Sequence, residues 1–166
     1  MKIFIILFFM LVPIGSYSQF VLANEEVIYS FATGNLKKMV LVKDKNNEYI
    51  QYRFGTKNKV EMEFSTERSK ESWKMFHYIF YMRGGGKANS AQEIANLGFT
   101  NNDFHYVIYS TYFSEKDEIA TGILVTDMKN NKTTRIKGIV SSRIGSLFSL
   151  DSEMPLEFDE DAGFDF

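Results

Sequence analysis

The chain has 166 residues, a formal net charge of −2 and no cysteine. That length fits one ordinary domain, and the missing thiols exclude disulfides, zinc–cysteine sites, thiolate nucleophiles and a lipid-attachment cysteine. The charge is uneven: residues 151–166 carry seven acids (Asp151, Glu153, Glu157, Asp159, Glu160, Asp161, Asp165) and no base. The mildly basic body that remains argues against nucleic-acid binding as the main function.

Met1 and Lys2 open the chain, followed by "IFIILFFMLVP" at residues 3–13. This is an apolar run of signal-peptide length, too short to cross a bilayer comfortably. Small residues at Ser16 and Ser18 place a cut after Ser18, and Ala23 offers a second. The expected organisation is a signal peptide over 1–18, a single β domain over 19–150 and an acidic tail over 151–166. The expected location is periplasmic or secreted, with no stable membrane insertion once the leader is removed.

Past the leader the dominant period is two. Residues 26–31 and 38–43 read as strands around a "TGN" turn, and "DKNN" separates the second from the next. In "YIQYRF", Ile50, Tyr52 and Phe54 share one face while Tyr49, Gln51 and Arg53 share the other. After "GTKNK", Val60, Met62 and Phe64 point inward with Glu61 and Glu63 outward, giving an antiparallel hairpin with a solvated face. Arg53 and Gln51 opposite Glu61 and Glu63 would contribute only tenths of a kcal/mol across such strands. Residues 73–82, "WKMFHYIFYM", are apolar on both faces, which places the strand centrally or along an enclosed space. "SAQE" at residues 90–93 matches a capping box, so a turn or two of helix closed by Gly98 is expected there. Residues 104–113 resemble 73–82. Residues 119–127 and 133–139 flank the turn "MKNNK". Residues 144–150 form either a short helix or a last strand. The tail mixes acids with Phe158, Phe164 and Phe166, which leaves open a docked terminus. The fold expected is all-β: an antiparallel β-barrel or sandwich of about eight to nine strands with at most one or two short helical turns.

The stretch "YMRGGGKANSAQE" invites a nucleotide reading and fails it. In G-x-x-x-x-G-K-[ST], Tyr81 stands where the first glycine belongs, and Ala88 lacks the hydroxyl that follows the lysine. Gly84, Gly85 and Gly86 also miss the G-x-G-x-x-G spacing, and the context is antiparallel β. The plain explanation is a loop needing glycine's conformational freedom. The functional one is a loop presenting Arg83, Lys87 and Asn89 to a partner. His77 and His105 are the only histidines, and two imidazoles without a third ligand make a poor zinc site. No G-x-S-x-G elbow is present, and Glu61 with Glu63 is most simply a solvated face. Aromatic residues make up 16% of the chain. Trp73, Tyr81 and their neighbours either fill a core or line a ligand cavity.

"YIQYRFGTKNKVEMEF", "SWKMFHYIFYMRGGGKAN" and "FHYVIYSTYFS" together resemble a group of small exported bacterial β proteins of unassigned activity. The shared pattern is the Arg53-Phe54-Gly55 strand end, the Val60-Glu61-Met62-Glu63 return strand and an aromatic strand running into glycines. The resemblance implies export and an all-β fold, and transfers no catalytic residue. The β-barrel lysozyme inhibitors of the periplasm are similar in size, location and fold class, without their signature loops being present. The expected function is an exported non-enzymatic binding protein, most concretely an inhibitor or immunity protein against a cell-wall hydrolase or toxin. The alternative is a lipid or glycan carrier with an aromatic-lined cavity. Expected binding residues are Trp73, Tyr81, Arg83, Lys87 and Asn89. No catalytic residue, metal ligand or cofactor is expected.

Overall fold

Alternation of apolar and polar side chains becomes strand almost everywhere it occurs. In the computed structural model, described for residues 20–85, 89–150, 156–158 and 163–165, nine strands of six or more residues are joined by two of two residues. They are β1 (Glu25–Ala32), β2 (Lys37–Asp44), β3 (Ile50–Thr56), β4 (Lys59–Phe64), β5 (His77–Arg83), β6 (Gln92–Asn101), β7 (Phe104–Phe113), β8 (Glu118–Asp127), β9 (Lys132–Lys137), β10 (Ile144–Gly145) and β11 (Glu157–Phe158). The expected leader, the centre of the glycine loop including Lys87, and most of the tail lie outside the described residues.

The strands form a five-stranded sheet in the order β10-β1-β2-β3-β4 and a six-stranded sheet in the order β11-β5-β6-β7-β8-β9. The sheets pack as an open sandwich and do not close into a barrel. Neighbours run antiparallel except β11, which pairs in parallel with β5 at His77 and Tyr78. The two sheets meet at one corner. Thr33 bridges to Gly138, the Ile139 amide donates to the Ala32 carbonyl at 2.8 Å, and the Ala32 amide donates to Ser142 Oγ at 2.8 Å. The Tyr29 hydroxyl and Thr121 Oγ1, 2.8 Å apart, add a buried link between β1 and β8.

Inward side chains from both sheets make one core. Tyr29, Phe31, Met39, Leu41, Ile50 and Tyr52 face Tyr78, Ala95, Leu97, Phe99, Ile108 and Ile123. Phe99 is its hub: it stacks on Phe64 at 4.4 Å and on Tyr106 at 4.9 Å, and meets Phe76 edge-on at 5.4 Å. Such pairs contribute about 0.5–1.5 kcal/mol each beyond the area they bury. A bulge at the β3–β4 turn shifts the register beyond Phe54. Gly55 is required there, because a Cβ would collide with the Lys59 carbonyl.

Two local expectations change. The segment opening at Ser90 is not helical: Gln92–Asn101 is a strand paired along β5 and β7. Ala95, Leu97 and Phe99 alternate into the core, and that burial outweighs a capping signal worth about 1 kcal/mol. Residues 73–75 belong not to β5 but to a 3₁₀ turn, Lys70–Met75, with Ser69 as its N-cap. Residues 144–150 contain both alternatives, the short strand β10 followed by a 3₁₀ turn at Leu147–Leu150.

Candidate docking face

The β3 half of the hairpin's expected solvated face is sealed, while Glu61 on β4 remains exposed. Gln51 and Arg53 point away from the core yet are 0% and 1% exposed. The cover is the segment preceding β1. Phe20 packs on Val40 and Val42, with the Lys38 ammonium 4.0 Å above its ring. The Arg53 guanidinium donates through all its nitrogens. Nε reaches Glu63 at 3.1 Å. Nη1 reaches Glu25 Oε2 at 2.6 Å and the Phe20 carbonyl at 2.9 Å. Nη2 reaches Glu25 Oε1 at 2.7 Å and also Gln51 Oε1. Leu22 N–H and the Tyr49 hydroxyl complete the shell of Glu25 at 2.7 and 3.0 Å. Burial pushes the Glu25 carboxyl up, but its hydrogen bonds to Arg53 and Leu22, the Arg53 charge and Tyr49 together hold it below its ordinary value. A sealed, saturated ion pair of this kind fastens the chain start to the sheet and leaves no acceptor for a substrate. Glu61 takes no part; it pairs with Lys37 at 2.5 Å.

The outer face of the six-stranded sheet is different. Ile79, Ile94, Val107, Tyr109 and Leu124 point away from the core, yet are 8%, 7%, 5%, 2% and 7% exposed. Tyr109 lies flat over its cross-strand partner Gly122, where a Cβ would come within 2.8 Å of the ring. Its phenol is pushed above the ordinary value by burial, and the Arg135 guanidinium lies 5.9 Å from the ring centre. Beside this pair opens a groove of about 360 Å³ running to Phe113, Lys116 and Glu118, with Ser90, Ala91 and Gln92 forming its far wall.

Beyond the Asn96–Tyr109 pair lies a smaller cleft of about 170 Å³, where His77, Asn96 and His105 meet tail residues Gly163 and Asp165. Asn96 Nδ2 donates to the Asp165 carbonyl at 2.8 Å, and Phe164 meets the Tyr81 ring at 6.2 Å. His105 leans over Gly98, whose missing Cβ leaves the space. Burial lowers the His105 pKa, with Asp165 opposing and His77 reinforcing the shift. Thr100 Oγ1 lies 3.3 Å from His105 Nδ1. A third cleft, about 480 Å³, opens at the sandwich mouth between Glu93, Tyr112, Asp117, Arg143 and Phe148. Among the described residues, no three His, Cys, Asp or Glu side chains are placed to hold a metal ion.

The residues singled out from the sequence scatter. Trp73 is not at the surface: it is 0% exposed, with its indole N–H on the Asn47 carbonyl at 3.2 Å, which removes it from any partner-facing set. Tyr81 and Arg83 share the outward side of β5. Arg83 Nε is held by the Ser90 carbonyl at 3.0 Å, so it closes the base of the glycine loop. Asn89 is exposed, next to Ser90 in the wall of the Tyr109 groove. Asn96 and Arg135 carry no sequence signal of their own, and Tyr109 stands out only as one of the aromatics that fill a core or line a cavity. The one available signal was Gly122 amid β-branched residues, a usual mark of close approach by a neighbour. Comparison with family models, with curated proteins and with solved structures finds no significant match for this chain.

Proposed function

We propose that this is an exported, non-enzymatic binding protein whose outer β5–β8 face holds a partner protein, with inhibition of a cell-wall hydrolase or neutralisation of a toxin as its concrete role. One observation carries the reading: polypeptide already lies on that face, with Asn96 bonded to the main chain of Asp165. The same face continues past Tyr109 into an open groove, so the seated segment occupies only part of it. The apolar run at residues 3–13 supports export. The carrier alternative has less support, because Trp73, Phe76 and Tyr78, which would line its cavity, pack among the core side chains.

The test places a photo-crosslinking residue at Lys116, on the groove, and separately at Lys59, on the other sheet. Each variant is exposed to periplasmic and secreted extract. The expected result is one exported enzyme crosslinked from Lys116 and not from Lys59, with its activity falling as an equimolar amount of the protein is added. Equal crosslinking from both positions, or an enzyme whose activity is unchanged, would overturn the reading.

A further inference from the structure

The cleft at His77, Asn96 and His105 has one feature that its present occupant leaves unexplained. Asn96 is 3% exposed. Its amide N–H₂ is engaged with the Asp165 carbonyl, while its Oδ1 is buried without a hydrogen-bond partner. A buried acceptor without a donor costs about 1–3 kcal/mol. A side-chain amide presents a donor and an acceptor side by side, which matches the C=O and N–H of an extended main chain. Residues 163–165 satisfy the first half of that fork and not the second.

From this we infer that the cleft is a seat for an extended peptide segment of a partner protein, carrying an aromatic residue followed by an acid, and that the chain's own residues 163–165 are its resident stand-in. The inference rests on the docking-face reading and names what that face recognises. Phe164 against Tyr81 marks the aromatic position. Asp165, facing His77 and His105 across the cleft, marks the acidic one. A partner strand that adds an N–H to Asn96 Oδ1 binds better than the tail by the bond the tail lacks. The seat and the groove adjoin where Asn96 pairs with Tyr109, with His105 and Val107 lining the one and Thr111 and Phe113 the other along β7. An extended segment of roughly eight residues, at about 3.4 Å each, therefore spans both. The tail occupies the seat end alone, so an incoming segment can engage the groove first and displace the tail afterwards.

The test uses the full-length chain and a fluorescent eleven-residue peptide with the sequence of residues 156–166, "LEFDEDAGFDF". Phe164→Ala in the protein loosens its own tail, and anisotropy of the peptide reads the freed seat. The Phe164→Ala chain should bind at least tenfold tighter than wild type. Adding Asn96→Leu should abolish the gain, and a peptide with its two terminal phenylalanines changed to serine should not bind. Thermal unfolding checks that the Asn96→Leu chain is folded. A second readout needs no change at Asn96: the two histidine ring signals should both move when peptide is added to the Phe164→Ala chain. Overturning results are no peptide binding to that chain, equal binding by all three proteins, or histidine signals that stay still. A wild-type dimer that Phe164→Ala converts to monomer would also overturn the inference, because the seat would then belong to a second copy's tail. Peptide binding reports on the seat and enzyme capture from Lys116 on the partner, so either can fail without the other.

Discussion

Replacing Arg53 with methionine tests the sealed ion pair most directly. The Arg53 and Glu25 side chains are 1% and 0% exposed, so the substitution leaves a buried carboxylate without its counter-charge. Removing one partner of such a pair costs about 3–5 kcal/mol. Near this chain length each kcal/mol moves the melting temperature by about 2–4 °C, so the expected fall is roughly 6–20 °C. The chain has a single tryptophan, and Trp73 is fully buried, so its emission on urea unfolding gives the midpoint and slope cleanly. The double variant Arg53→Met with Glu25→Leu should regain more than half of the loss, because both the charge and its desolvation cost are gone. The pH dependence has a definite sign. Glu25 titrates below its ordinary 4.5 in the folded chain, so its contribution is full above that value and is lost as pH falls through the folded value. Without Arg53, only the Leu22 and Tyr49 hydrogen bonds are left to oppose burial of Glu25, and the loss should begin at higher pH. A cost under about 1 kcal/mol for the single variant, or a double variant no better than the single, would refute the account of this pair.

Three further outcomes are expected. Leu36 is 89% exposed at a φ of 62°, a left-handed conformation costing most L-residues about 1–2 kcal/mol and asparagine less; Leu36→Asn should therefore raise the urea midpoint, and a lower midpoint would contradict this. A chain starting at Asn24, after the second of the two expected cuts, lacks Phe20 and the carbonyl that Arg53 bonds. It should be less stable than one starting at Gln19 by at least about 2 kcal/mol in the same assay, and equal stability would show that the covering segment is dispensable. Asp165→Asn removes the charge that raises the His105 pKa, so the ring's NMR titration midpoint should fall further below 6.5; an unmoved midpoint would place Asp165 away from the imidazole.

Strands β1 to β4 and β7 to β9 were legible because one side chain in two is apolar and polar turn residues separate the runs. Their partners outside the sheet were not. Arg53 points outward by alternation, and nothing in period two reveals that Phe20 and Glu25 return to cover it. β6 carried its own alternation in Ala95, Leu97 and Phe99, but the local capping signal at Ser90 and Glu93 masked it until pairing with β5 and β7 decided the matter. Trp73 adjoined an aromatic strand and read as part of it, whereas the Ser69 cap turns the backbone and drops the indole into the core. The candidate face was half visible. That residues 104–113 are apolar on both sides foretold a second buried surface, now seen as Val107, Tyr109 and Leu124 packed together. Its seat for the tail depends on residues some sixty positions further along, beyond the reach of any local pattern.

The corner between the sheets bears on how the fold is reached. The Ala32 amide waits for Ser142, 110 positions later, and β10 then closes the outer edge of β1 through Tyr29 and Ser30. Contacts so distant in sequence carry a large loop-closure cost before they contribute anything, and all-β chains of this kind fold in milliseconds to seconds rather than microseconds. Until residues 138–145 arrive, the β1 edge is an open template for another strand. The chain is thus exposed to mispairing at β1 for as long as the corner remains unformed.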